Sequence, residues 1–387
     1  MRRSAFFIRV IGIGILFHIY IGVRLIPAAP VGAPLRWLAV AALVASCLLI
    51  PLGMAARTIE QQPLSDRLAL VGLLVMGFFS TLLVLTFARD IVLLVMHVGA
   101  RVRGMPVWPE FVAWSALAVP FFALLVTLAG LYGARRRAPV KSVDVPIDNL
   151  PAALHGFTIV QISDIHVGPT IKRAYVEKIV AAVNGLQPDL IAVTGDVVDG
   201  SVAHLCAHTQ PLGTLKARHG TFLVTGNHEY YAGADKWVAE FRRIGLKVLM
   251  NEHVVVQHGD ARAIVAGVTD YGAGSFDPAH RSDPAAAIKG APADVLFRLL
   301  LAHQPRSAMA AAKAGFTLQL SGHTHGGQFV PWNFFVRLQQ PFVAGLEKLE
   351  GLWVYTSRGT GYWGPPIRIG APSEITRLRL VEGARGV

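Results

Sequence analysis

Apolar positions are distributed in two textures. The first third of the chain carries four long, nearly uninterrupted apolar runs, at 6–26, 37–54, 68–87 and 111–131. Each is near the roughly 20 residues a helix needs to cross about 30 Å of hydrocarbon, so each predicts a membrane span. Run 68–87 holds no charge, and Pro51 near the end of the second is tolerable in a membrane helix. The short run 91–98 follows Arg89-Asp90 and cannot span alone. It reads as interfacial or as a continuation beyond the membrane, with a five-span count as the alternative. The opening "MRRSAFFIRV" has the basic start and apolar run of a signal peptide. No small-x-small cleavage site follows cleanly and three more apolar runs come after it, which favours a retained first helix.

From about residue 140 the texture changes. "KSVDVPIDNLPAALHG" reads as a polar, proline-bearing lead-in to a second domain, giving expected domains of 1–138 and 139–387. Short β-rich runs then predict strands at 157–162, 190–193, 221–224, 254–257, 263–268, 296–301, 318–320, 353–356 and 375–380. Helices are predicted between them at 172–186, 202–217, 234–244 and 306–314. The pattern is α/β, richer in β towards the end, after an all-α membrane region of about four helices.

Composition agrees with that division. Hydrophobic residues make up 53% and charged ones 16%, too apolar for an ordinary soluble protein. Residues 1–138 hold 13 Lys+Arg against 4 Asp+Glu, whereas the remainder holds 23 against 20. The basic surplus therefore punctuates the membrane runs rather than forming a nucleic-acid face, and no nucleic-acid partner is expected. With four spans, Arg2, Arg3, Arg9, Arg57, Arg67, Arg135, Arg136, Arg137 and Lys141 share one side. Arg24, Arg36, Arg89, Arg101 and Arg103 share the other. The bias predicts a multi-pass inner-membrane protein with its second domain in the cytoplasm. Cys47 and Cys206 are too few and too far apart for a disulfide framework or a thiolate metal site.

Candidate chemistry sits just past the predicted strands. "FTIVQIS" is followed by Asp164 and His166, "DLIAVT" by Asp196 and Asp199, and "GTFLVT" by Gly226, Asn227, His228 and Glu229. "LFRLLLA" is followed by His303, and "TLQLS" by Gly322, His323 and His325. Singly, each has a bland explanation: a chance triplet, a turn, a hydrogen-bonded core histidine. Together, five apolar strands deliver oxygen or imidazole ligands at their ends, where α/β sites gather. Carboxylate, imidazole and amide donors without thiolate suit Mn, Fe, Zn or Co. The set is too large for one ion. Two divalent ions would use Asp164, His166 and His325 on one side and Asn227, His303 and His323 on the other, with Asp196 between. Such a pair clamps the attacking and leaving oxygens of an in-line phosphoryl displacement and lowers the pKa of a bridging water. Asp199 then supports the loop or orients a ligand.

This series closely resembles the calcineurin-like metallophosphoesterases over about residues 155–381. The resemblance implies a four-layer α/β/β/α sandwich. It also implies that His228 is not a ligand but stands over the substrate, stabilising the phosphorane-like charge and protonating the leaving oxygen. The segment "YTSRGTGYWGPPIRIGAPSEITRLRL" resembles the membrane-associated or exported bacterial branch of that superfamily. Its Gly and Pro residues suit a loop over a site, with Arg358 and Arg368 available to a phosphate; a rigid loop sealing the sheet edge is the alternative.

The expected protein is a membrane-anchored, dinuclear-metal phosphoesterase. A lipid-linked or headgroup phosphodiester or pyrophosphate is the first substrate expectation, and a soluble phosphomonoester or nucleotide the second. A membrane sensor or scaffold using the same fold for signalling is the alternative function.

Overall fold

A computed structural model describes residues 2–56, 59, 61–106 and 108–383. Arg57, counted in the charge bias, and residues 384–387 lie outside the described residues, as do the side chains of 1–8 and 10. Two compact units result: Met1–Tyr132 with Gly364–Ile367, and Gly133–Trp363 with Arg368–Val387. The chain passes between them slightly before the expected boundary at 138.

The first unit contains helices α1 (Arg2–Leu25), α2 (Ala33–Ala55), α3 (Leu64–Arg103) and α4 (Pro109–Arg135). Among the described residues, α2, α3 and α4 are long and apolar enough to cross a membrane, and Ile11–Leu25 of α1 is a shorter apolar stretch. The run 91–98 belongs to α3, a continuous helix of 40 residues. At 1.5 Å per residue that is about 60 Å, twice a hydrocarbon core, so this run is a helical continuation and not a separate turn of chain. Asp90 on α3 takes Arg24 of α1 at 2.7 and 3.0 Å and the Tyr20 hydroxyl at 2.8 Å. Arg89 is buried and donates to Ser115 Oγ and the Val112 carbonyl of α4, each at 2.9 Å. These contacts tie α1, α3 and α4 together.

Helices α2 and α3 touch backbone to backbone. A Cβ on Gly53 would meet Gly72 Cα at 2.6 Å, so neither position has room for a side chain. Gly72→Leu should lower the thermal midpoint of the detergent-solubilised protein, overpacking costing about 1–3 kcal/mol or more. Gly99→Leu on the same helix, where nothing lies within 4 Å, should leave that midpoint unchanged.

In the second unit two six-stranded sheets face each other. The first runs β1-β12-β2-β3-β4-β5, built from Val140–Ile147, Ile375–Glu382, Thr158–Ile162, Leu190–Thr194, Thr221–Val224 and Lys247–Val248. The second runs β10-β11-β9-β8-β7-β6, built from Gly345–Leu349, Leu352–Thr356, Leu318–Ser321, Phe297–Leu301, Ala261–Gly267 and Glu252–His258. Strands β2, β3 and β4 are parallel, as are β7, β8 and β9. Ile159, Leu190, Phe222, Leu299, Leu320 and Tyr355 fill the space between the sheets. Outside the first sheet, α5 (Arg173–Gly185), α6 (Val202–Thr209) and α8 (Ala234–Arg243) cover it through Ile179, Leu205, Trp237 and Phe241. Outside the second, α9 (Pro284–Ile288) and α10 (Ala308–Lys313) cover it through Ala287, Ala308 and Ala311. Four layers, α/β/β/α, follow from apolar faces on both sides of each sheet.

Most expected elements lie within a residue or two of their predicted positions. The expected helix 202–217 ends at Thr209 and continues as the 3₁₀ turn Gln210–Thr214, because Pro211 has no backbone N–H to continue an α-helix. The supposed lead-in at 140 is itself strand β1. It pairs with β12 on one side only, and an edge strand tolerates its Pro146.

Candidate metal centre

The ligand-bearing loops all leave the C-terminal ends of parallel strands, so convergence is built into the topology. β2 ends before Asp164 and His166, β3 before Asp196 and Asp199, and β8 before His303. β9 ends before His323 and His325, while β4 leads to Asn227 and His228 at the start of α7 (Asn227–Ala232). Buried Gln161 couples the two sheets beneath the site, donating to Thr194 Oγ1 at 2.8 Å and the Ser321 carbonyl at 2.9 Å.

Donor atoms of Asp164, His166 and His325 lie within 4.8 Å of one another, and so do those of Asp196, His303 and His323. His166, Asp196 and His228 form a third such group. The Nε2 atoms of His166 and His325 are 3.0 Å apart, and His325 Nε2 is 3.5 Å from Asp164 Oδ1. His303 Nε2 is 3.2 Å from both Asp196 Oδ2 and His323 Nδ1. Asp196 Oδ2 is also 3.8 Å from His166 Nε2, so this one carboxylate reaches both clusters. Asp199 Oδ1 meets His166 Nδ1 at 3.0 Å and also contacts His228 Nδ1.

Five of these residues are held in left-handed backbone conformation: Asp164 (φ 52°), His166 (55°), Asp196 (51°), His323 (69°) and His325 (51°). That region costs an L-residue roughly 1–2 kcal/mol. Such strain persists where surroundings impose it, and it gathers at functional sites. Here the surroundings are visible. The His323 N–H donates to Asp164 Oδ1 at 2.9 Å, and the His228 N–H to Asp196 Oδ1 at 2.9 Å. Glu229 is fully buried and accepts the N–H groups of Gly226, Val197 and Asp196 at 2.6, 2.7 and 3.0 Å. A Cβ on Gly226 would lie 2.6 Å from the Asp196 nitrogen, so the turn accepts no side chain there.

The electrostatics favour cations. Burial pushes the Asp164 carboxyl up, with His303 opposing it, whereas His303 and its hydrogen bond hold buried Asp196 well below the usual carboxylate range. Burial and then Arg368 keep His325 well below the imidazole range, and burial with His303 brings His323 to about 3. Both rings are therefore neutral, the form that binds metal. Burial lowers His228, but Asp199 and Asp196 outweigh it and lift the ring to about 9. The donor set fits a pair of divalent ions on one further count. Asn227 Oδ1 is buried with no hydrogen-bond partner, an arrangement expected of an oxygen kept for a cation.

Residues 157–327 match the calcineurin-like phosphoesterase family. An uncharacterized metallophosphoesterase of Campylobacter jejuni is 36% identical over 266 residues, covering 68% of this chain and 69% of its own. The chain belongs to the calcineurin-like metallophosphoesterases. Two vertebrate relatives are described as transmembrane proteins with a metallophosphoesterase domain. The Danio rerio protein is 37% identical over 283 residues, covering 70% of this chain and 64% of its own. The Bos taurus protein is 38% identical over 299 residues, covering 74% and 67%. The chain thus spans about two thirds of the length of these relatives.

Within this metallophosphoesterase domain the two expected phosphate-binding arginines differ. Arg358 is partly exposed and paired with buried Glu374 at 3.2 Å. Arg368 is only 4% exposed, and its guanidinium donates to the carbonyls of Gly361, His325 and Ala371 while lying 2.9 Å from His325 Nδ1. Its geometry serves the His325 loop, not an open phosphate site: it is enclosed because the chain folds back over it at Gly361 and Ala371. Arg368→Met should therefore weaken metal retention at His325, measured as metal content after dialysis, by about 10–100-fold in affinity. A substrate contact alone would raise KM and leave metal content unchanged. Glu229, which the sequence places directly after Asn227-His228 without indicating a role, is the buried acceptor that holds the Asp196 and Gly226 turns together.

Proposed function

We propose that this membrane protein hydrolyses a phosphoester by in-line displacement at a centre of two divalent transition metal ions. The carrying observation is the convergence of six donors, Asp164, His166, Asp196, His303, His323 and His325, from four strand ends, and the buried Asn227 oxygen after a fifth strand has no hydrogen-bond partner. Asp164, His166 and His325 would hold one ion, Asn227, His303 and His323 the other, and Asp196 both. Bound there, the ions would polarise the phosphoryl oxygens and supply a nucleophile from water at neutral pH. The chain's own residues do the rest. Asp199 fixes His228 through Nδ1, which turns Nε2 towards the site, 4.0 Å from Asp196 Oδ2. A proton held on that Nε2 is placed for the leaving oxygen. Asp199 also fixes His166 through its Nδ1, so one carboxylate sets two imidazoles. Tyr231 and Trp363, with ring centroids 5.2 and 5.9 Å from His228, wall the ring on its outer side. Of the two expected arginines, the partly exposed Arg358 is the one available to a phosphate.

The substrate we favour is a lipid-linked or headgroup phosphodiester or pyrophosphate. The test is a product screen on the purified full-length protein, loaded with manganese and given phospholipid vesicles and soluble nucleotides in parallel. Release of a headgroup from the vesicles supports the reading; turnover of nucleotides alone rejects it. We place the domain in the cytoplasm of a multi-pass inner-membrane protein, on the charge bias. A cytoplasm-only fluorescent reporter fused after Val387 should light up, and external protease should leave the domain whole. Cleavage from outside would reverse the orientation.

A further inference from the structure

The segment "VPWNFFVRLQQ", residues 330–340, begins three residues after Gly327 of the His325-Gly326-Gly327 loop, and the metal chemistry does not use it. It forms two short 3₁₀ turns, Trp332–Phe334 and Val336–Leu338. Val330, Trp332, Phe334, Phe335 and Leu338 all face outward, Phe334 being 71% and Leu338 80% exposed. Fully burying one such side chain is worth about 1.5–3 kcal/mol, so five within nine positions signal a surface that is covered in use.

The projection is built, not loose. Asn333 lies against Gly327, whose Cβ position is 2.7 Å from the Asn333 nitrogen. Arg306 donates to the Gln339 carbonyl at 2.6 Å, and buried Gln340 donates to Gln304 Oε1 at 3.2 Å. Both ends of the segment are thus pinned to the phosphoesterase sandwich while its apolar side chains point away.

We propose that residues 330–338 are a membrane-docking loop whose Trp332, Phe334, Phe335 and Leu338 enter the bilayer interface beside the metal centre. Three features select a lipid surface over a protein partner. The composition is that of an interfacial anchor: aromatic and aliphatic side chains with exposed Arg337 among them, and no acidic residue from Val330 to Gln340. The same chain carries helices long and apolar enough to cross a membrane. α4 ends at Arg135 and β1 starts at Val140, so a short tether keeps the domain at a high effective concentration beside a bilayer. Arg337 would meet lipid phosphate while the rings lie among the upper acyl carbons. Docking would bring the His323–His325 loop to the surface from which a lipid phosphoester is taken.

The test reads depth, not turnover, so its outcome is independent of the phosphoesterase reading. The full-length protein, with Cys47→Ser and Cys206→Ala, is placed in nanodiscs of phosphatidylethanolamine and phosphatidylglycerol. A nitroxide is attached at Phe334→Cys, at Leu338→Cys, and at Asp260→Cys, an exposed polar position of the same domain. At 334 and 338 the collision ratio of oxygen to a water-soluble nickel chelate should be several-fold higher than at 260. Ratios equal to that at 260 would overturn the proposal. So would shielding from both reagents, which would put protein over the loop.

Discussion

Asp196→Ala is expected to empty the centre of metal and lower kcat/KM for an aryl phosphodiester by about 10⁴-fold or more, some 5.5 kcal/mol of transition-state stabilisation at 1.36 kcal/mol per decade. The effect should be the largest of any single ligand because Asp196, alone among the described carboxylates, belongs to groups on both sides, lying 3.2 Å from His303 and 3.8 Å from His166. Asp196→Asn keeps an oxygen for the His228 N–H but removes the charge, so it separates loop support from cation binding. Elemental analysis and turnover should fall together in both variants. If Asp196→Asn kept two metals and near-normal turnover, the carboxylate would be structural.

The second large effect is expected at His228. His228→Ala should lose kcat by about 10²–10⁴-fold while retaining both metals, the range of a positioned proton donor. The geometry makes this a genuine choice, since a donor atom of His228 clusters with His166 and Asp196 as tightly as the other groups do. A ligand role would show as lost metal, a proton-donor role as lost kcat alone. Asp199→Asn, which weakens the hold on both His228 and His166, should reduce kcat by about 10–100-fold. A parallel drop in metal retention would trace to His166.

Most strands of the second domain, and the positions of the candidate ligands, were legible because five apolar runs stop at a carboxylate, amide or imidazole; the layering came from the family resemblance. Thr158–Ile162 before Asp164 and Leu318–Ser321 before His323 show it directly. Of the four edge strands only β6 was legible; β1, β5 and β10 were not. β1 carries Lys141, Asp144 and Pro146, β10 carries Glu347 and Lys348, and β5 has two residues, so none shows a buried pattern. The left-handed conformations of Asp164, His166, Asp196, His323 and His325 have no sequence signal, since only the surrounding loops impose them. The enclosure of Arg368 has no sequence signal for a similar reason. Arg358 and Arg368 share one Gly- and Pro-rich segment, and only the fold-back at Gly361 and Ala371 encloses Arg368. The aromatics of 330–338 are plain in the sequence, but nothing in it shows that they face outward.

The central claim, a dinuclear centre that turns over phosphoesters, is tested most directly by titrating metal into the full-length protein purified anaerobically in detergent. Elemental analysis and turnover of bis-p-nitrophenyl phosphate are followed on the same samples. The account predicts that activity rises with manganese to a plateau at two ions per chain and is abolished by a chelator. A protein that binds no metal, or whose turnover does not change between empty and loaded samples, would contradict it.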